Sequence, residues 1–345
     1  MGQRITAKLF GGFLLILFLT TPFLVQSQYT EVINSNRPGI SVSAYAVGRN
    51  VVQAEFGGYY EQQNHSDLST ESNIIGADLA LRYGLLFESL EIIWEGSYHN
   101  QDIDYTALGF NESRTDFTVH RLGLKYLFFD PYRDPIRNTP NLYSWRANNK
   151  FQWKNLIPAI SIYAGANFVL GDNPFYVEDP TISPRVMLAT QSQLTPKSVL
   201  ILNFIYDRIG TDFPEMSYVI SFSRAFRNPK WSAFIENQGI DSDRYSDILL
   251  RTGVSHLFSP HFQVDLSLGG NFKSSPSRYF GTIGLSYRLD FHKDQLVKTE
   301  PVGGAIKKNS MRKNKSSEIG PSKKEIRAER KKAKKNKKKK DDFDF

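Results

Sequence analysis

Glu91 and Glu95 stand four residues apart with Ile93 between them, and this carboxylate pair is the first arrangement in the chain that could do chemistry. Paired carboxylates cleave glycosidic bonds when they lie roughly 5–9.5 Å apart. On an extended strand, positions four apart share a face, but their Cα atoms are about 13 Å apart. That is too far for a concerted acid and base, so the two read as separate charges on a polar surface. The histidines are His65, His99, His120, His256, His261 and His292. Only His120 falls in the middle of a patterned segment, and none sits in a histidine–serine motif or at metal-ligand spacing. The chain has no cysteine, which removes disulfides, thiolate metal sites, cysteine nucleophiles and a lipoprotein anchor. The residues argue against an enzyme and imply no cofactor and no metal.

What they do offer is charge at alternate positions. Asp78, Ala80, Arg82 and Gly84 interleave with Ala77, Leu79, Leu81, Tyr83 and Leu85. Gln263, Asp265, Ser267 and Gly269 interleave with Phe262, Val264, Leu266 and Leu268, and Thr282, Gly284, Ser286 and Arg288 with Ile283, Leu285, Tyr287, Leu289 and Phe291. A period of two puts one set on each face of a strand. Extended to the whole chain, the polar face carries the acids Glu55, Asp78, Glu91, Glu95, Asp207, Glu236 and Asp265, and the bases Arg82, Arg121, Lys125, Arg185, Arg251 and Arg288. Mixed signs in similar numbers predict ion pairs, lining or filling an interior without strong selectivity for either charge.

About twelve such segments follow one another, from a first core at 51–60 to a last at 279–291. Leu194-Thr195-Pro196-Lys197, Arg227-Asn228-Pro229-Lys230 and Phe258-Ser259-Pro260-His261 recur as near-copies of one tight turn, each with a small polar residue before a proline. Between them lie polar connections, with longer ones expected at 61–73, 100–114 and 171–183. Short turns on one side and longer loops on the other, with an even strand count, predict an all-β, antiparallel, up-and-down transmembrane β-barrel. It must close, because an open edge in lipid leaves backbone groups unpaired. One short-side connection breaks the pattern: Asp130 to Asn155 is a long excursion, read as carrying a short helix with Trp145 and Trp153.

The flanks differ from this body. Arg4 and Lys8 precede the apolar run around GGFLLILFL, and Val25-Gln26-Ser27 offers a cleavage site, so residues 1–27 read as a signal peptide. Residues 28–49 are expected as a periplasmic segment, 50–291 as the barrel and 292–345 as a Lys-rich, largely disordered periplasmic tail. From Pro301 onward the chain holds 17 Lys/Arg against 6 Asp/Glu, so the formal net charge of +8 belongs to the tail. Secretion excludes nucleic acid as its partner. The anionic surfaces it could meet are phospholipid, peptidoglycan or an acidic periplasmic protein, each basic residue contributing about 1 kcal/mol at a charged membrane.

Two resemblances sharpen the reading. Thr282 to Phe291, with Gly284, Tyr287, Leu289 and Phe291 at the diagnostic positions, resembles the signal by which the barrel-assembly machinery recognises its substrates. Asn36-Arg37-Pro38-Gly39, then Ser43-Ala44-Tyr45, then Val51 to Gly58 with Gln53, Glu55 and Gly57, resembles the transporter family named for a meta-pathway of phenol degradation. That resemblance runs over about residues 33–291. It implies a barrel in the cell outer membrane and uptake of small solutes, often apolar or aromatic. The expected function is a passive channel for small solutes, with a structural subunit of an outer-membrane complex as the alternative.

Overall fold

The computed structural model describes residues 32–133 and 138–292, with residues 327 and 331 beyond them. The signal peptide and nearly all of the Lys-rich tail lie outside the described residues.

Twelve antiparallel strands form one closed barrel in which each strand pairs with its sequence neighbours. They are β1 (Val51–His65), β2 (Thr70–Gly84), β3 (Leu90–Tyr105), β4 (Phe110–Phe129), β5 (Ala159–Phe168), β6 (Ile182–Thr195), β7 (Ser198–Asp207), β8 (Glu215–Ala225), β9 (Trp231–Ser242), β10 (Asp247–Ser259), β11 (Phe262–Asn271) and β12 (Ser277–Asp290). β1 and β12 close the cylinder in a register running from Val51 opposite Asp290 to Asn64 opposite Ser277. Every strand therefore has two neighbours, and no backbone edge faces lipid.

The alternation read from the sequence sorts as expected. Leu81, Tyr83, Leu266, Leu268, Ile283, Leu285, Tyr287 and Leu289 are exposed on the outer wall, while Arg82, Asp265, Ser286 and Arg288 are buried within. A continuous string of rings marks the outer wall at one end: Trp231 stacks on His256 at 4.3 Å, His256 on Phe258 at 4.5 Å, and Phe258 approaches Phe262 at 5.8 Å. Such a girdle sits where acyl chains give way to headgroups. An apolar exterior on a closed antiparallel cylinder is the architecture of the bacterial outer membrane, and the protein resides there.

The short turns hold one end, the end expected to face the periplasm, where β1 begins and β12 finishes. Each of the three proline turns is pinned in the same way. The backbone N–H of Lys197 donates to Thr195 Oγ1, that of Lys230 to Asn228 Oδ1, and that of His261 to Ser259 Oγ. The outer end departs from expectation. The connections expected to be long at 61–73 and 100–114 are tight, because β1–β4 run on to His65, Thr70, Tyr105 and Phe110. Above the lipid both faces of a hairpin meet water, so apolar alternation ends while backbone pairing continues. The long excursion contains α1 (Trp145–Asn149) and a 3-10 turn (Trp153–Leu156), each beginning at the expected tryptophan.

Candidate functional site

The largest departure from the sequence reading concerns residues 28–49, expected to lie in the periplasm. Their described part, from residue 32, enters the barrel and fills its half at the short-turn end. The segment lacks regular secondary structure, so its backbone groups must find partners elsewhere, and the inner wall supplies them. Glu236 accepts from the N–H groups of Ile40 and Ser41, Glu55 from Asn36, and Glu91 from Val47. Asn203 Oδ1 accepts from the N–H of Val42 at 2.7 Å, and its Nδ2 donates to the carbonyl of the same residue. Lys125 donates to the carbonyls of Ser43 and Tyr45, and Arg82 to those of Asn34 and Tyr45. Ser43 Oγ bonds Gln191, and Ser35 Oγ meets Ser286 Oγ at 2.7 Å. Among the described residues the plug makes hydrogen bonds to nine of the twelve strands.

The two motifs that carried the family resemblance are two halves of this contact. Gly57 on β1 and Gly284 on β12 are register partners. A Cβ built at either would collide with the Arg37 guanidinium, so the two glycines form a slot in the wall that admits it. Arg37 then pairs with Asp265 at 3.2 Å. Gln53 donates to the Asn34 carbonyl and to Glu55. Gly39 lies against the Glu236 carboxylate at a spacing that leaves no room for a side chain. Burial and the neighbouring Asp130 push the Tyr45 phenol up, so it stays protonated and donates to Asp130 Oδ1.

The thirteen charges assigned to the polar face are drawn into ion pairs and hydrogen bonds. Glu55, Arg82, Glu91 and Lys125 form one chain across β1–β4, with N···O distances of 3.3, 3.1 and 2.6 Å, and all four are buried. Glu91 and Glu95 are thus divided between networks. Glu95 pairs with Arg121 at 3.6 Å, and Arg121 reaches across to Asp207 at 3.5 Å. Asp207 also binds Arg185 and Asn167. Glu236 pairs with Arg251 at 3.4 Å and Arg288 with Asp290 at 3.1 Å, while Asp78 accepts from Ser97. His120 does not join them. It faces outward between Trp94 and Phe117, and neither ring nitrogen has a hydrogen-bond partner.

A second closure crosses the outer mouth. The β5–β6 connection, residues 169–181, folds inward rather than into solvent. The N–H of Asn173 donates to Asp116, and Phe175 packs edge-on against His99 with centroids 4.2 Å apart. Asp179 is held by Arg208 at 3.2 Å and Arg244 at 2.8 Å, and both guanidinium groups lie over Tyr176. Beside the loop, Arg278 pairs with Glu61 at 2.6 Å and bonds Tyr245, whose phenol is pushed up to about 12, mainly by burial.

Between plug and loop lies a cavity of about 920 Å³. Ile40 of the plug lines its floor, Phe175 and Tyr176 its roof, and its walls mix Tyr59, His99 and Phe280 with charged groups such as Arg121, Asp207 and Arg251. Tyr59 Oη meets His99 Nδ1 at 3.0 Å, while His99 Nε2 is buried without a hydrogen-bond partner. The sequence reading missed Arg37, Asn203, Asp179, Arg208, Arg244 and His99 as parts of the site. For Arg37 there was a signal: glycines at alternate-face positions inside β1 and β12 mark a close approach.

The family model described as "Putative MetA-pathway of phenol degradation" matches residues 35–289, from inside the plug almost to the end of β12. No curated protein matches the sequence. Among solved structures, the COG4313 outer membrane channel from Pseudomonas putida F1 is similar, at 10% identity over 74% of this chain and 100% of that chain, with a TM-score of 0.44. The KdgM porin is similar at 11% identity over 69% and 99%, with a TM-score of 0.39. The CymD monoaromatic hydrocarbon channel is similar at 10% identity over 71% and 90%, with a TM-score of 0.38.

Proposed function

The chain belongs to the family described as "Putative MetA-pathway of phenol degradation", and from that membership we propose that it is a gated outer-membrane channel for small apolar or aromatic solutes. The observation that carries this reading is the cavity of about 920 Å³ inside the barrel, between the plug and the 169–181 loop. A barrel whose interior served only as a stiffener would have no need of a chamber of ligand size. The aromatic part of its wall suits a flat apolar body, and His99 Nε2, buried without a hydrogen-bond partner, suits one hydroxyl or carbonyl on that body. Entry from outside requires the 169–181 loop to lift. Exit to the periplasm requires the plug to leave the lumen or shift within it. The buried ion pairs of β1–β4 stay with the wall and keep the passage polar once the plug moves.

Ser35 and Ser286 give a direct test, because their hydroxyl oxygens touch and the chain has no cysteine of its own. The double variant Ser35→Cys/Ser286→Cys, reconstituted in planar bilayers, should be silent when oxidised and should open intermittently when reduced. Liposome swelling should follow the same switch. A reduced protein that passes nothing, together with an Arg37→Ala variant that also passes nothing, would return the alternative: a filled barrel acting as a structural or accessory subunit.

A further inference from the structure

The excursion between β4 and β5 is built inside out. Its polar groups are spent on its own backbone. Asn141 and Asn148 bracket one another, with the Asn141 N–H donating to Asn148 Oδ1 at 2.7 Å and Asn148 Nδ2 donating to the Asn141 carbonyl at 2.9 Å. Asn141 Oδ1 accepts from Tyr143 and Ser144, Ser144 caps α1 through the N–H of Ala147, and Gln152 Nε2 donates to the Ala147 carbonyl. The apolar side chains are left outside: Leu142 is 87% exposed, Tyr143 100%, Trp145 79% and Trp153 80%. Phe151 and Trp153 pair edge-on at 5.4 Å.

This arrangement is fixed to the wall. Tyr132 Oη donates to the Asn155 carbonyl at 2.9 Å and accepts from the N–H of Gln193 at 2.6 Å, and Ser192 Oγ donates to the Leu156 carbonyl. Its exposed apolar surface runs through Leu156 and Ile157 into Ile162, beside Phe128 and Phe129 on the lipid-facing wall. Residues 138–157 also hold Arg146, Lys150 and Lys154 and no acid. Trp and Tyr beside Lys and Arg, on a short amphipathic element, are the composition of a segment lying in a headgroup layer.

We propose that residues 139–157 form a membrane-surface anchor, with Trp145, Trp153, Tyr143 and Leu142 inserted in the periplasmic leaflet and the three basic residues on its anionic phospholipid headgroups. The inference concerns the outer face of the rim. It stands whether or not the lumen conducts.

The full chain carrying Trp94→Phe, Trp145→Phe and Trp231→Phe reports Trp153 alone. Reconstituted in phosphatidylglycerol-containing vesicles with brominated acyl chains, it should show quenching comparable to that of a chain keeping only Trp231, which sits in the barrel's own girdle. Adding Arg146→Glu, Lys150→Glu and Lys154→Glu should red-shift Trp153 emission and lose most of the quenching, with heat-modifiable gel mobility showing that the barrel is still folded. Trp153 emission at water-exposed wavelengths, quenched by aqueous iodide and indifferent to bromine, would overturn the proposal and leave the surface to a protein partner. Equal quenching in vesicles of phosphatidylcholine alone would overturn its anionic part.

Discussion

Arg37 reaches the wall of the barrel only because two residues there have no side chain. Gly57→Leu should therefore evict the guanidinium, strand Asp265 without its partner and loosen the plug. Its expected signature is a longer open time in single-channel recordings, with strand content by circular dichroism unchanged. Arg82 makes the opposite prediction. It is buried and pairs with both Glu55 and Glu91, so Arg82→Ala leaves two buried carboxylates with less compensation. Losing one partner of a buried pair costs about 3–5 kcal/mol, and the urea midpoint for unfolding in lipid should fall accordingly. The contrast also shows what was readable at this scale. Arg82 sits in a segment of strict period two, so its face follows from its neighbours. Arg37 sits where no period exists, and its partners lie up to 228 residues away. Only the wall glycines hinted at it.

The strands were legible as elements wherever one face met lipid, because that contrast is what alternation records. It fades above the membrane, and the outer arms of β1–β4 were accordingly read as loops. The plug was illegible for a different reason. A segment that satisfies its backbone on surrounding side chains needs neither helical nor strand periodicity, and from sequence it looks like a linker. The 169–181 loop was seen as a polar connection, but its inward fold rests on Asp179 meeting two arginines from other connections, Arg208 after β7 and Arg244 after β9. Two closures in series predict non-additive behaviour. Asp179→Ala alone should free the loop yet leave conductance near that of the parent, since the plug still seals. Combined with Gly57→Leu it should raise conductance beyond the sum of the two single effects.

Among the described residues the barrel keeps buried ion pairs within and apolar side chains without, the reverse of a water-soluble protein. The Lys-rich tail remains a proposed tether to anionic lipid, peptidoglycan or an acidic partner. Pulldown with the full chain and with a chain ending at residue 302 should distinguish it from the barrel, with partners lost and permeability retained. Gly284, Tyr287, Leu289 and Phe291 remain a proposed assembly signal. Gly284 has a second duty in the Arg37 slot, so its replacement should harm plug seating as well as insertion.

The uneven strand lengths have one more consequence. β4 is 20 residues long, whereas β5, β7 and β11 are 10 each. On the β1–β4 side the wall becomes a parapet whose hairpin tips, near Leu68 and Leu108, are exposed. An epitope spliced in at residue 108 should be bound by antibody on intact cells without disturbing the chamber. The same epitope at Lys197 should be reached only after the envelope is broken.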